Sequence, residues 1–326
     1  MKTEGDWVER FVSAVGSAVS LERDAPAGAL CTWRVGGPLR VVVRPNSRSE
    51  LMTLAEALPE GLPTLVIGRG SNLLVSDRGF DGVCVMLGSD FESIEMLLPP
   101  GAGVDAGADA VVVSGGAVPL PVLARRSAAS AVAGLEFYVG IPGSVGGAVR
   151  MNAGGHGQTT AEVLLDCEVF DLANASLNTI AAHELRFDYR SSAIRPTQVV
   201  TSARFRGVLD LRDACERRID DVVAWRRAHQ PGGANAGSVF ANPHGDSAGR
   251  LLDTAGCKNA AVGGAEVSSK HANFIQANPG ATANDVYSLI SFVRSRVYAV
   301  HGVDLQPEVQ CAGFEYPPDL HKELSK

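Results

Sequence analysis

Ser238 stands in the run GSVFANP (237–243), after a glycine and four residues before Asn242. A hydroxyl in such a place can be a nucleophile, a phosphate ligand or part of a turn. A hydrolase-type nucleophile needs G-x-S-x-G on a strained strand-to-helix elbow, and the sequence Ala236-Gly237-Ser238-Val239-Phe240 does not supply that spacing. A serine after a glycine also satisfies backbone groups in ordinary turns. The glycine-rich runs are the next chemical feature. IGRGSN (67–72) follows a short apolar run, so its backbone N–H groups could face a phosphate, with two glycines permitting close approach. It is not a dinucleotide fingerprint: Leu73 occupies the place of the third glycine, LLVSD after it reads as a strand, and no Walker lysine follows. GIPGSVGGAV (140–149) fixes a backbone path with little side-chain bulk, suited to a large flat ligand or a pyrophosphate. MNAGGHG (151–157) adds Asn152, whose amide both donates and accepts. His156 is a conceivable base, but a lone histidine among glycines reads more readily as a loop residue.

These residues need elements to hold them. Residues 6–20 have the spacing of an amphipathic helix, followed by a loop, and LRVVVRP (39–45) has the β-branched density of a strand. Ser47-Arg48-Ser49-Glu50 reads as a capping box opening a helix that runs to Leu58. TLVIG (64–68), LLVSD and GVCVML read as strands around the IGRGSN turn. Further on come a helix over 121–132 and strands around LLDCEVFDL and VVTSARF. A charged helix over 212–230, a short helix AGRLLDTAG, a long helix over 282–301 and a last strand near VDLQPEVQC follow. The run GAGVDAGADAVVVSGGAV (101–118) reads as a strand at VVV flanked by turns. There is no internal repeat.

With 326 residues and 45% hydrophobic side chains, the chain can form two or three domains with cores. A net charge of -7 argues against a nucleic-acid surface while allowing a local basic pocket for an anion. Arginine outnumbers lysine 24 to 5, and arginine is the better fork for carboxylate and phosphate. The six cysteines are scattered, without C-x-x-C or histidine partners at metal-ligand spacing, so they read as buried free thiols with no metal site. An acidic start, MKTEGDWVERF, and the absence of a long apolar run point to a cytoplasmic protein with no membrane partner.

Taken in order, TWRVGGP (32–38), IGRGSNLLV (67–75), GLEFYVGIPGSVGGAVRMNAGGHG (134–157), FDYRSS (187–192), ANAGSVFANP (234–243), SKHANFI (269–275) and LQPEVQ (305–310) resemble the motifs of the UDP-N-acetylenolpyruvoylglucosamine reductase family. The resemblance spans roughly residues 30–312 and matches the compact type of the family. It implies an α+β fold: a two-subdomain FAD-binding fold of the vanillyl-alcohol-oxidase (PCMH) type, plus a C-terminal α+β substrate domain. The boundaries expected are 1–89 and 90–210 for the two FAD-binding subdomains, 211–316 for the substrate domain, and 317–326 for a tail. It further implies noncovalent FAD, NADPH as co-substrate, and reduction of UDP-N-acetylglucosamine enolpyruvate to UDP-N-acetylmuramate for peptidoglycan synthesis. The protein is expected to act as a monomer.

On this resemblance the catalytic residues are Arg190, Ser238 and Glu308. Arg190 would hold the charge of an enediolate, Ser238 would donate the proton, and Glu308 would assist in protonated form or through water. The cofactor would lie along Ile67, Gly68, Arg69, Gly70, Ser71 and Asn72, then Gly140, Ile141, Pro142, Gly143, Ser144, Gly146 and Gly147, and Asn152, Ala153 and Gly154. Asn242, Lys270, His271 and Asn273 would touch substrate. Flavin oxidases of this fold often tie FAD to a histidine in the glycine turn, and IGRGSN has none. A binding protein without turnover is the other rival, disfavoured by the joint presence of all three catalytic types. His156 stands where many relatives carry tyrosine.

Overall fold

The computed structural model describes residues 6–99 and 107–315. The expected tail over 317–326, and the first turn of the run 101–118, lie outside the described residues. The chain divides into two compact units: one holds residues up to Arg23, Val41–Arg69 and Gly82–Arg226, and the other holds Asp24–Arg40, Gly70–Asp81 and the chain from Arg227 onward.

The first unit is organised on the strand Gln198–Leu209. From Ala203 to Gly207 its residues alternate between buried and exposed, with Arg204 and Arg206 turned out and Phe205 turned in, as period-2 geometry requires. It pairs antiparallel with Leu164–Asp171 on one side and Asp109–Gly115 on the other; Ser176–Ala181 and Ile94–Leu97 flank these in turn. Helices Leu120–Ala129 and Val145–Met151 put Leu120, Leu123, Val145 and Val149 into one core with Val112 and Phe205. Each such side chain, fully buried, contributes roughly 1.5–3 kcal/mol of transfer free energy.

A second core of this unit joins Phe11 and Val15 of the helix Asp6–Val15 to Leu51 and Leu54 of the helix Arg48–Ala57 and to Val41, Val43, Val83 and Val85. Ser47 caps the latter helix by accepting the Glu50 N–H at 3.2 Å. The Glu50 carboxylate reaches back to the Asn46 N–H at 2.9 Å, one residue further than a standard capping box.

The second unit has the helix Ala283–His301 as its spine, opened by Thr282 with Asp285 and closed by Gly302 in the left-handed region. Its N-terminal N–H groups, on Ala283 and Asn284, also donate to the Asp77 carboxylate at 2.9 and 2.8 Å, where the helix dipole favours an anion. Against this helix lies the antiparallel sheet Ala261–Val262, Ala265–Val267 and Ile275–Ala277, with the helix Ala248–Thr254 beside it. Trp33 is fully buried in this core and satisfies its indole N–H on the Ile275 carbonyl at 3.0 Å. Gln310–Ala312 pairs parallel with Leu73–Val75.

Two of the differences from the sequence expectation bear on how elements are read. Ser20–Pro26 is a strand where a loop was expected; five of its seven residues are exposed, so no alternation betrays it. Val145–Met151 is a helix inside the glycine-rich path. Glycine lowers helix propensity, but Ser144 caps the helix by accepting the Gly147 N–H at 3.3 Å, and Val145, Ala148 and Val149 bury one face.

Candidate active site

In the second unit, Ser238 follows Gly237, whose φ of 78° places it in the left-handed region. The segment beyond it is held on both edges. On one edge the Val239 N–H donates to the Asn273 carbonyl at 2.9 Å. The Asn273 side chain accepts the Phe240 N–H at 2.9 Å and returns a hydrogen bond to the Phe240 carbonyl at 2.8 Å. On the other edge, the Glu308 N–H donates to the Val239 carbonyl at 2.8 Å and the Ala241 N–H donates to the Gln306 carbonyl at 2.9 Å. Ser238 itself is half-buried, and among the described residues its hydroxyl has no hydrogen-bond partner. Glu308 is buried at 7% exposure, and its carbonyl accepts from the Asn72 amide at 2.9 Å. Ser238, Glu308 and Asn72 thus share one hydrogen-bonded framework.

The expected substrate-contacting residues occupy distinct roles there. Asn242 is exposed, and its side-chain oxygen accepts the Ala248 N–H at 3.0 Å at the start of the helix Ala248–Thr254. Lys270 is exposed and reaches the Arg227 carbonyl at 2.6 Å. His271 packs edge-on to Phe274, and its Nδ1 accepts the Asn273 N–H at 3.2 Å. Burial, then the nearby Lys258 charge, pushes the His271 pKa below the usual histidine range. Asn273, also expected to touch substrate, is 3% exposed, with its amide engaged on Phe240.

In the first unit, Arg190 sits in the turn 188–191, closed by reciprocal backbone bonds between Asp188 and Ser191 at 3.1 and 3.2 Å. Its φ of 50° is left-handed, which a non-glycine residue keeps only where the surroundings over-determine it. Three side-chain bonds do so. The Asn152 amide donates to the Asp188 carbonyl at 3.1 Å, Ser192 donates to the Arg150 carbonyl at 2.8 Å, and Arg150 donates to the Ile194 carbonyl at 2.6 Å. The Arg190 guanidinium lies 5.7 Å from the Tyr189 ring centroid. The Asn152 amide, expected against the cofactor, is engaged by the protein on both sides, since its oxygen accepts the Ala161 N–H at 3.0 Å. Asn152 itself is left-handed, with φ 41°, and closes the helix Val145–Met151.

The remaining cofactor candidates fall along short backbone runs. Ile67 is buried and donates to the Val85 carbonyl at 2.9 Å, while Gly68 and Arg69 are exposed. A Cβ on Gly68 would overlap the Ser144 hydroxyl, so a larger residue there would have to turn that hydroxyl off its cap on the Gly147 N–H. Gly70 and Ser71 belong to the second unit, where the left-handed Gly70 lies against Leu30. The backbone of Gly143 and Gly146 is bonded to Leu120 and Gly116 at 2.9 and 2.8 Å. Ala153 accepts from both the backbone N–H and the hydroxyl of Thr160, and Gly154 pairs with Thr159.

The fit to a flat cofactor is tested by the glycines that the protein itself does not require. Gly147 and Gly155 have no positive φ, and a Cβ there would meet only Ser144 at 3.4 Å and Ile141 at 3.9 Å respectively. Neither backbone strain nor packing demands glycine at these positions, so the space they leave suits a bulky ligand passing along the segment. The donor set, mostly backbone and small polar groups, also suits a phosphate-bearing cofactor. His156 is exposed, left-handed and edge-on to Trp225 at 5.0 Å. Partial desolvation of the ring, then the Arg226 charge, lowers its pKa. Sequence reading missed the pairing of Asn273 with Phe240, whose partners lie 33 residues apart. The indirect signal was a polar residue inside the apolar run HANFI.

Among the described residues no helix is long and apolar enough to cross a membrane. Residues 39–180 match the FAD binding domain family, and residues 229–312 match the family described as UDP-N-acetylenolpyruvoylglucosamine reductase, C-terminal domain. The fold is thus α+β, and the chain is an oxidoreductase with an FAD-binding domain joined to a second, reductase-type domain. The UDP-N-acetylenolpyruvoylglucosamine reductase of Rhodopseudomonas palustris (strain HaA2) is 41% identical over 88% of this chain and 90% of its own length. That of Synechococcus sp. (strain WH7803) is 40% identical over 91% of this chain and 94% of its own length. The crystal structure of the Thermus caldophilus enzyme of this name superposes with a TM-score of 0.76 at 33% identity, covering 90% of this chain and 99% of that one. The chain belongs to the UDP-N-acetylenolpyruvoylglucosamine reductase family, as its ordered motifs led us to expect.

Proposed function

We propose that this enzyme reduces UDP-N-acetylglucosamine enolpyruvate to UDP-N-acetylmuramate with NADPH, as a cytoplasmic monomer supplying peptidoglycan synthesis. The observation that carries this reading is the half-buried Ser238 hydroxyl, without a partner among the described residues, next to Val239, whose carbonyl accepts the Glu308 N–H. When bound, FAD would supply the hydride-transfer chemistry between NADPH and the terminal carbon of the enolpyruvyl group. In this reading residues 67–72, 140–144, 146–147 and 152–154 hold the cofactor, within subdomains 1–89 and 90–210, and 211–316 bears most of the substrate contacts.

The protein groups then manage charge and one proton. Hydride addition drives negative charge onto the substrate carboxylate, and the Arg190 fork stabilises it. Glu308, as the protonated acid or through a water, donates a hydrogen bond to the same charge; a bare carboxylate would repel it. The Ser238 O–H bond breaks, its proton forms the new C–H bond at the α-carbon, and the serine oxygen regains a proton from water. Asn242, Lys270 and His271 contribute to substrate binding.

The test is anaerobic half-reaction kinetics on Ser238→Ala. NADPH should bleach the flavin at a near-normal rate, while reoxidation by the enolpyruvyl substrate slows by roughly 10²- to 10⁴-fold, the range for a lost general acid. Equal losses in both halves would remove Ser238 from the proton-donor role.

A further inference from the structure

Ser238 gains nothing from its own side chain's surroundings that would fix it, so its placement must come from the chain on either side. The N-terminal side offers little: Gly237 is left-handed with open space around it, and the preceding contact is the Gly237 N–H on the Asn235 side chain at 3.0 Å. The C-terminal side is another matter. Asn273 supplies a backbone acceptor to Val239 and a side-chain donor and acceptor to Phe240, so one residue makes three bonds to the two residues after Ser238. Phe240 is 1% exposed and Asn273 3%, so water does not compete for these groups.

We propose that Asn273 is the positioning residue for Ser238: its carboxamide, reading both the N–H and the carbonyl of Phe240, sets the direction in which the Ser238 hydroxyl projects. This rests on the reading of Ser238 as proton donor and deepens it. A side-chain amide is suited to the task because it imitates a peptide unit, offering one donor and one acceptor in a plane at the place where a neighbouring strand would otherwise lie. The framework extends outward on both sides. His271 Nδ1 accepts the Asn273 N–H at 3.2 Å, and the Glu308 N–H donates to the Val239 carbonyl at 2.8 Å. The titratable or charged groups facing the clamp are therefore His271, Lys258 behind it, and Glu308.

The decisive variant is Asn273→Asp in the FAD-loaded enzyme, because it preserves shape. The ionised carboxylate can accept from the Phe240 N–H but cannot donate to the Phe240 carbonyl, whose oxygen it repels; the protonated acid restores the donor. Reoxidation by the enolpyruvyl substrate should fall about 10²-fold at neutral pH, the scale of a misplaced reacting group. Flavin bleaching by NADPH should stay within about twofold, and the deficit relative to wild type should shrink as pH falls and the buried carboxyl protonates. A deficit flat with pH, or equal losses in both half-reactions, overturns the proposal.

A double-mutant cycle with Ser238→Ala separates the two levels of the argument. If Asn273 acts through Ser238, Asn273→Asp adds less than about twofold in the Ser238→Ala background. An undiminished effect there overturns the positioning role while leaving Ser238 as donor. A Ser238→Ala enzyme with normal reoxidation instead overturns the donor reading itself. Should Asn273→Asp fail to fold, hydrogen exchange in the unmodified holoenzyme still tests the clamp. The Val239 and Phe240 amides should exchange on the order of 10²-fold more slowly than that of Gly245 in its exposed loop. Comparable rates at Phe240 and Gly245 overturn it.

Discussion

The turn that carries Arg190 and the segment that carries Ser238 are both irregular pieces of backbone with a left-handed residue, yet they are fixed in opposite ways. The Arg190 turn hangs from the end of the helix Val145–Met151 by three bonds that each involve a side chain, from Asn152, Arg150 and Ser192. The Ser238 segment is bonded along two edges, by the main chain of Gln306 and Glu308 on one and by the main chain and buried side chain of Asn273 on the other, and continues directly into the core through Val239 and Phe240. Each suspending side-chain bond is worth about 1 kcal/mol and can be lost singly, whereas a segment bonded on both edges moves only when several bonds break together. The difference suits the proposed roles. A guanidinium stabilising a diffuse charge tolerates small shifts, while a hydroxyl delivering a proton to one carbon does not.

The largest test of this contrast is at Arg190. Arg190→Ala should slow reoxidation by roughly 10²- to 10³-fold, the usual loss for a preorganised charge-stabilising group. Arg190→Lys should recover only a small part, because a point charge lacks the planar fork. NADPH bleaching of the flavin should be nearly unchanged in both, and a matching loss there would move Arg190 out of the reoxidation step.

A smaller effect is expected where the glycine-rich path was left open. Gly155→Leu has no protein neighbour nearer than Ile141 at 3.9 Å, so the apoprotein should melt close to wild type. FAD affinity should fall at least about tenfold, equivalent to about 1.4 kcal/mol. Unchanged flavin affinity, measured by titration of apoprotein, would mean the cofactor does not pass beside Gly155. A gain or loss of affinity with no change in melting would place Gly155 among ligand-facing rather than packing glycines.

What the sequence made visible follows the same division between local and distant bonds. The helix beginning at Arg48 announces itself through Ser47, because a cap and its helix are neighbours in the chain. The proposed roles of Ser238, Glu308 and Arg190 rest on ordered motifs. The strand Ser20–Pro26 was hidden because its charged, exposed residues carry no period, and the helix Val145–Met151 because its glycines speak against a helix until Ser144 is recognised as its cap. The clamp on Phe240 left only an indirect trace, a polar residue inside the apolar run HANFI: Asn273 and Asn242 are equally polar in sequence, and only the fold reveals that one is buried against Phe240 and the other exposed at a helix start.

Asn152 tests the suspended side of the contrast. Asn152→Ala removes the bond to the Asp188 carbonyl and the acceptor for the Ala161 N–H, and puts alanine at a left-handed position. A loss of about 1–3 kcal/mol in stability is expected from the lost bonds and the strain. Reoxidation should slow by only about tenfold, less than for Asn273→Asp, since Arg150 and Ser192 still hold the turn. Thermal melting together with the two half-reactions checks this; a reoxidation loss as large as that of Arg190→Ala would show that the turn depends on Asn152 alone.

The smallest expected effect lies behind the clamp, at His271. Its folded pKa is depressed by burial and then by Lys258, so as pH falls through the ordinary histidine value near 6.5 the unfolded chain takes up the proton first. The unfolded state then binds more protons than the native one, and stability declines toward lower pH, while above about pH 7 the group contributes no slope. Protonation at Nδ1 would also remove the acceptor that the Asn273 N–H uses, but only at lower pH, once the native imidazole itself takes up the proton. Lys258→Gln removes one cause of the depression and the ion pair to Asp253 at 2.7 Å. The pair is lost at both pH values and cancels in a difference, so between about pH 7.5 and about pH 5.5 the variant should lose less stability than wild type in urea titrations. Equal losses would show that Lys258 does not act on His271, and would leave burial as the whole cause.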